Sequence, residues 1–299
     1  MTKRVLLTGA RGFIGRHAIA PLRARNFEIH TIGRRPTEGI PHHQADLLDP
    51  KSTAAIISAL EPTHLLHLAW DVTPGAFWHS RTNLDWVAAS LSLYRSFVAA
   101  GGRHVAVAGT CAEYDWTHPH LDEDSPLHPA TIYGLAKHTL HRLLTAAAAA
   151  DATTIAWGRI FLLYGPHEAP ERLVSGIARA LLRGEDALTG RGDLKRDFMH
   201  VADVAAALVL LLDQSHHGPV NIATGQSTTI AEVVTTIAAQ TDHPDRLRIG
   251  ARPSPPSEPL ELATSALRLR ALGFQPRYTL ESGLADTVAW WKSTAAPPR

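Results

Sequence analysis

The sequence predicts an α/β protein, a doubly wound parallel sheet followed by a smaller mixed α/β C-terminal substrate domain. Three observations predict it. Strand-length apolar runs alternate with helix-length amphipathic segments through the first half of the chain. A glycine-rich turn joins the first run to the first helix, and after Tyr164-Gly165-Pro166 the alternation gives way to more loop. Strands that alternate with helices leave few arrangements other than right-handed crossovers in a parallel sheet.

Val5-Leu6-Leu7 ends in Thr8-Gly9 and reads as the first strand; residues 12–25 carry Phe13, Ile14, Ala18 and Leu22 at helical spacing. A second strand spans 27–32, and Gln44-Ala45 is a short third one. Residues 50–60 read as a helix because Asp49 offers an N-cap and Pro50 takes the first helical position, where a missing N–H costs nothing. A strand over 64–69, a long helix over about 81–100, a strand over 104–108, an Ala-rich helix over 132–150 and a strand over 153–161 complete the alternation. Beyond it come helices near 171–182, over 203–212 and near 280–291, a strand at Val220-Asn221-Ile222, a Gly/Arg-rich turn at 190–192 and a Pro-rich linker over 253–259.

Composition narrows the function classes. The 299 residues carry 29 basic and 28 acidic side chains, a formal charge of +1 with no basic cluster, so no nucleic-acid or membrane-surface partner is expected. A lone Cys111 excludes an internal disulfide or a cysteine-based zinc site. The apolar run before Gly9 is too short for a signal segment or a membrane span, and the expected compartment is the cytosol.

Gly9-Ala10-Arg11-Gly12-Phe13-Ile14-Gly15 spaces its glycines as G-x-x-G-x-x-G between the first strand and the first helix. Residues without side chains let the backbone approach a pyrophosphate, and the helix start offers unpaired N–H groups and a positive dipole end. Tyr133 and Lys137 lie four apart on a predicted helix and share a face. An ammonium beside a phenol favours the phenolate, bringing a poor proton donor toward the neutral range.

These motifs resemble the extended short-chain dehydrogenase/reductase family, of the NAD-dependent epimerase/dehydratase, nucleotide-sugar-modifying type. The resemblance rests on Thr8-Gly-Ala-Arg-Gly-Phe-Ile-Gly15, His67-Leu-Ala69, Tyr133-Gly-Leu-Ala-Lys137 preceded by Pro129, Arg159-Ile-Phe-Leu-Leu-Tyr-Gly-Pro166, Arg196-Asp-Phe-Met-His-Val-Ala-Asp-Val204, Asn221-Ile-Ala-Thr-Gly225 and Leu272-Gly-Phe-Gln-Pro276. It implies a Rossmann dinucleotide-binding domain at 1–166, to which 196–223 returns, and a substrate-binding domain made of 167–195 and 224–299.

The same resemblance implies the site. Tyr133 is the proton donor, Lys137 also holds the nicotinamide ribose, and Thr110, four before Tyr114, bonds the substrate oxygen. Gly9, Gly12, Phe13, Ile14, Gly15, Asp46, Leu47, Leu68, Ala69 and Ile160 are implied cofactor contacts, with Asp46-Leu47 receiving the adenine. The second strand ends in Gly33-Arg34-Arg35-Pro36, with no carboxylate for a ribose 2′-hydroxyl. Two guanidiniums suit a 2′-phosphate, so NADP(H) is favoured, with NAD(H) the alternative. Arg196 matches the arginine that contacts a nucleotide-sugar diphosphate; Trp70 is either a sugar-contacting wall or sheet-top packing, and Asn83 makes a structural hydrogen bond.

Family dehydratases carry Asp-Glu directly after this threonine; here those positions are Cys111 and Ala112. Glu113, one step further along an expected strand, would point away. Hydride exchange remains: an NADPH-dependent reductase of a nucleotide-linked 4-keto-6-deoxy sugar, or an NAD-dependent nucleotide-sugar 4-epimerase. A non-catalytic NADP-binding sensor or scaffold has no need of a tuned phenol. Cys111 as a nucleophile lacks an activating base. Arg252 is a possible second diphosphate contact, while Leu162 and Ala263 depart from the usual pattern at the substrate's nucleotide end. The 18 histidines, including His42-His43 and His216-His217, read as solvated surface, and no metal is expected. Family members dimerise through two helices of the Rossmann half, here about 81–100 and 131–149, so a homodimer is expected.

Overall fold

The computed structural model describes residues 3–253 and 258–295. In chain order the elements are β1 (Arg4–Thr8), α1 (Phe13–Ala24), β2 (Glu28–Gly33), β3 (His42–Gln44), α2 (Pro50–Leu60), β4 (His64–His67), α3 (Thr82–Ala99), β5 (His104–Thr110), α4 (Ile132–Asp151), β6 (Thr154–Ile160), β7 (Leu162–Tyr164), α5 (Leu173–Leu182), β8 (Ala187–Leu188), β9 (Lys195–His200), α6 (Val201–Asp213), β10 (Gly218–Ile222), β11 (Ser227–Thr229), α7 (Ile230–Ala238), β12 (Leu247–Arg248), β13 (Glu261–Leu262), α8 (Leu267–Ala271) and α9 (Leu280–Ala295).

The chain forms two compact units, 1–115 with 125–160 and 204–222, and 116–124 with 161–203 and 223–299. These bounds differ from the expected 1–166 and 196–223: β7 and β9 pair with each other, which draws 161–166 and 196–203 into the second unit.

In the first unit seven strands run parallel in the order β10-β6-β5-β4-β1-β2-β3. The order reverses between β1 and β4, and at such a switch point crossovers leave a crevice beyond the strand C-termini. On one face Leu6, Leu65, Val105, Val107, Ile155 and Trp157 pack with Ile57 of α2, Leu93 and Phe97 of α3, and Leu140 and Leu144 of α4. On the other face Gly158 leaves room for Leu208 of α6. Helix α2 spans the predicted residues, with Asp49 accepting from Lys51 N at 3.1 Å. Strand β3 lies at His42–Gln44, earlier than expected, and β4 stops at His67 because Leu68 N and Ala69 N turn aside to Thr8 Oγ1, each at 3.1 Å.

In the second unit β11, β9, β13 and β7 form a mixed sheet, β11 antiparallel and β7 and β13 parallel to β9. Helices α5, α7 and α9 bury Val174, Ile177, Val233, Ile237, Leu284 and Val288 with Tyr164 and Phe198. Helix α7 escaped the sequence reading although Thr229 and Glu232 close a capping box at its start. Of the expected linker, residues 254–257 lie outside the described residues.

Candidate active site

The crevice of the first unit is a cleft of about 520 Å³. Of the implied cofactor contacts, Gly9, Gly12, Arg34, Arg35, Asp46, Leu47 and Ala69 line it, together with Trp70. Phe13, Ile14 and Gly15 form the first turn of α1, and Leu68 precedes Ala69; Ile160 is buried at the end of β6, off the cleft wall.

The glycine turn fits a dinucleotide pyrophosphate. Gly9 has φ +70°, and a Cβ there would stand 2.8 Å from Ala69 N, so a side chain would wedge the turn off β4. On Gly15 a Cβ would run into the Gly9 carbonyl oxygen. Gly12 caps α1 without a side-chain hydrogen bond, leaving the first-turn N–H groups for an anion.

The turn is tied down by a directed chain of hydrogen bonds. Thr8 Oγ1 accepts from Leu68 N and Ala69 N, so its own proton goes to His67 Nδ1 at 2.8 Å. His67 Nε2–H then donates to Ser90 Oγ at 2.8 Å, and Ser90 donates to the Trp86 carbonyl at 2.7 Å. Burial, with Lys137 repelling a second positive charge, pushes His67 down to about 3, so the ring stays neutral. This chain links β1, β4 and α3, and no spacing in the sequence reveals it.

Thr110, Tyr133 and Lys137 are all buried. Lys137 Nζ donates to the Ala108 carbonyl at 2.8 Å and lies 3.7 Å from the centre of the Trp70 ring. Trp70 is itself pinned, its Nε1 donating to Asn83 Oδ1 at 2.8 Å, and its ring meets Tyr133 edge-on at 6.5 Å. Asn83 donates to the Phe77 and Ser80 carbonyls, the structural role expected of it. Phe77 and Trp78 also present their rings edge-on to Tyr133. Tyr133 therefore sits in an aromatic box one helical turn from Lys137, whose pKa burial pushes down to about 7, opposed by Glu113.

Glu113 corrects the sequence reading. It lies in a 3₁₀ turn, Cys111–Glu113, that follows β5 directly, so strand alternation does not set its direction. The carboxylate turns back and accepts from Thr110 N at 2.9 Å, Trp157 Nε1 at 2.8 Å and Arg159 Nε at 3.2 Å. Cys111 and Ala112 are buried in the same turn.

Arg196 belongs to the second unit, where its guanidinium donates to the Lys195 and Leu260 carbonyls and to Glu258 Oε1 at 3.1 Å. Arg252 is exposed. Of the paired histidines, His217 is exposed and His42, His43 and His216 are half-buried, and three of them also find protein partners: His42 Nδ1 bonds Thr31 Oγ1 at 3.0 Å, His43 Nε2 bonds His30 Nδ1 at 3.1 Å, and His217 Nδ1 accepts from Ile155 N. Sheet edges recruit them because their neighbours across the strand offer partners. Among the described residues no group of three or more His, Cys, Asp or Glu is placed to hold a metal ion, and no helix is long and apolar enough to cross a membrane. Arg11, Thr31, His42, Asp71 and Trp86 also line the cleft and were missed; Arg11 stood inside the glycine motif itself.

The chain is similar to the GDP-6-deoxy-D-mannose reductase of Pseudomonas aeruginosa, 28% identical over 318 residues, covering 98% of each protein. It is 25% identical to the UDP-glucuronic acid decarboxylase 1 of Xenopus tropicalis over 97% of this chain and 72% of that one. Among solved structures, MoeE5 in complex with UDP-glucose and NAD matches with a TM-score of 0.82 at 29% identity, covering 98% of this chain and all of that one. The UDP-glucose 4-epimerase of Thermotoga maritima shares the fold at a TM-score of 0.89 and 22% identity, covering 98% of this chain and 100% of that one. The sequence signature of the NAD dependent epimerase/dehydratase family matches residues 5–223. With the glycine turn, the crevice and the Thr-Tyr-Lys set in one unit, the chain belongs to the NAD dependent epimerase/dehydratase family of extended short-chain dehydrogenases/reductases and is an NAD(P)-dependent oxidoreductase.

Proposed function

We propose that this enzyme reduces a nucleotide-linked 4-keto-6-deoxy sugar at C4 with NADPH. One observation carries the choice of reaction: beside Thr110 the available carboxylate is Glu113, and three donors already hold it. Dehydration needs a mobile acid and base there; Cys111 and Ala112 supply neither. A reductase relative that matches over its whole length supports the same reading.

When bound, the nicotinamide supplies hydride to the carbonyl carbon. Tyr133 gives its phenolic proton to the carbonyl oxygen and regains one from solvent. Thr110 Oγ1 accepts from Ala112 N at 3.2 Å, which leaves its O–H to donate to that oxygen. Lys137, when protonated, favours the phenolate and bonds the ribose in place of the Ala108 carbonyl. Trp70 walls the sugar; Arg196 keeps the diphosphate role that the family resemblance gives it. Arg34 and Arg35, with Arg11 in the same cleft, fit a 2′-phosphate better than a free hydroxyl.

The test is stoichiometry. Reduction consumes one NADPH per sugar converted, read as loss of its absorbance. Interconversion of a nucleotide sugar with its C4 epimer at no net NADPH consumption would make the enzyme a 4-epimerase instead.

The active form is a homodimer through α3 and α4. Ile132, Leu135 and Leu143 leave an exposed apolar stripe on α4, and Leu84 is exposed on α3. A second copy covers both. Sedimentation should give about twice the 32.4 kDa chain mass, and Leu135→Glu with Leu143→Glu should give the monomer; a monomeric wild type removes the proposal.

A further inference from the structure

We propose that the buried Glu113–Arg159 ion pair is a positioning device for the reaction, fixing the Thr110 hydroxyl and, through the turn it closes, the helix end that carries Tyr133 and Lys137. This rests on the catalytic roles assigned above. Glu113 and Thr110 hold each other reciprocally: the carboxylate takes the Thr110 N–H while Thr110 Oγ1 takes the Ala112 N–H. The threonine's backbone is therefore set by Glu113 and its hydroxyl by the turn that Glu113 closes. Arg159 anchors that residue to the sheet, and its Nη1 donates to Tyr114 Oη at 3.0 Å, which donates to Asn221 Oδ1 on β10 at 2.6 Å.

The turn also seats α4. A Cβ on Gly134 would run into the Ala112 carbonyl oxygen, so the residue after Tyr133 rests directly on the turn. Lys137 is held from the same strand end, through the Ala108 carbonyl. Both Glu113 and Arg159 are almost wholly buried. Apolar side chains of similar volume commonly replace such pairs at no loss of stability, so packing alone does not require two charges here.

Charge gives the pair a second effect. The titratable groups that act on Lys137 are Glu113 from the turn and His67 from β4, with Arg159 of β6 held behind Glu113 and Tyr133, His138 and His141 on its own helix. Burial lowers His67, His138 and His141, and Glu113, whose own pKa burial raises against the pull of Arg159, is the charge that opposes the burial shift of Lys137. Without it the ammonium is lost at lower pH.

The experiment compares Glu113→Val/Arg159→Met, Glu113→Asp and Tyr133→Phe, using NADPH and the nucleotide-linked 4-keto-6-deoxyhexose that the wild type turns over. Melting curves establish which variants fold. In the folded double variant kcat should fall about 10²-fold, the cost of a misplaced catalytic group. The alkaline limb of its pH profile should move about half a unit or more toward acid. Glu113→Asp keeps the charge but shortens the reach, so kcat should fall about tenfold with the limb unmoved. A folded double variant with wild-type kcat and limb overturns the inference; if the double variant does not fold, wild-type kcat in Glu113→Asp overturns it. Tyr133→Phe separates the two levels: wild-type turnover there removes the catalytic assignment and this inference with it. Loss of turnover there beside an unaffected pair variant removes the inference alone.

Discussion

Lys137, the residue assigned to the proposed reaction, is a buried cation that costs the fold stability. Its pKa is pushed down to about 7 by burial, while an unfolded chain holds the same proton up to about 10.5. Between those values the unfolded state binds more protons, so this group makes stability rise with pH from about 7 to 10.5, and its penalty is fully present below 7. Lys137→Met should therefore raise the melting temperature at pH 6 by more than at pH 10, while abolishing turnover and weakening cofactor binding. Differential scanning fluorimetry at the two pH values checks it; equal shifts would mean that the ammonium is not the source of the strain. The lost bond to Ala108 and the lost contact with Trp70 work against the gain at both pH values, which is why the difference is the informative quantity.

Among the elements, the junction of β2 with its following loop carries the proposed preference for NADPH over NADH. Arg34 and Arg35 are exposed at the cleft rim, and Arg11 reaches the same loop, its Nη1 donating to the Pro36 carbonyl at 3.0 Å. That bond braces the loop under the two arginines. Replacing Arg34 and Arg35 with alanine removes two charge-assisted contacts worth roughly 1.5–3 kcal/mol each when well formed. NADPH affinity should fall at least about tenfold while NADH affinity stays nearly constant. Equal losses for both, measured by fluorescence titration, would show that the arginines support the loop and do not read the phosphate.

For the whole molecule, pH stability is a balance between histidines kept neutral and carboxyls kept protonated. Burial lowers His64 to about 4 and both His67 and His141 to about 3, and it raises Glu168 to about 7. As pH falls below 6.5 the unfolded chain protonates its histidines and the fold loses stability; Glu168 acts in the opposite sense between 4.5 and 7. His141 isolates one side of the balance, because its ring stacks on Trp157 at 4.8 Å and neither nitrogen has a hydrogen-bond partner. His141→Phe keeps the stack and removes the titration. Its advantage over the wild type should grow by up to roughly 2 kcal/mol between pH 6.5 and pH 5. Urea unfolding at the two pH values measures this, and a constant difference would count against a neutral buried ring.

By itself the sequence determined what depends on local periodicity and backbone freedom. The order of strands and helices in the first unit, the Asp49 cap and the glycine turn all follow from short-range sterics and hydrogen bonding, which neighbouring residues set. The Tyr133/Lys137 pair was legible for the same reason, since four residues on a helix fix a shared face. Tertiary structure alone decided the partners of the buried polar side chains. Glu113 finds Arg159 46 positions away, His67 finds Thr8 59 positions away, and Lys137 lies against Trp70; no spacing encodes these pairings. They arise because parallel pairing brings β1, β4, β5 and β6 to one edge, where polar groups excluded from water must satisfy one another. The short strands of the second unit and its helix α7 were hidden likewise, because their stability comes from packing around β9, whereas α5 and α9 lie where helical spacing put them.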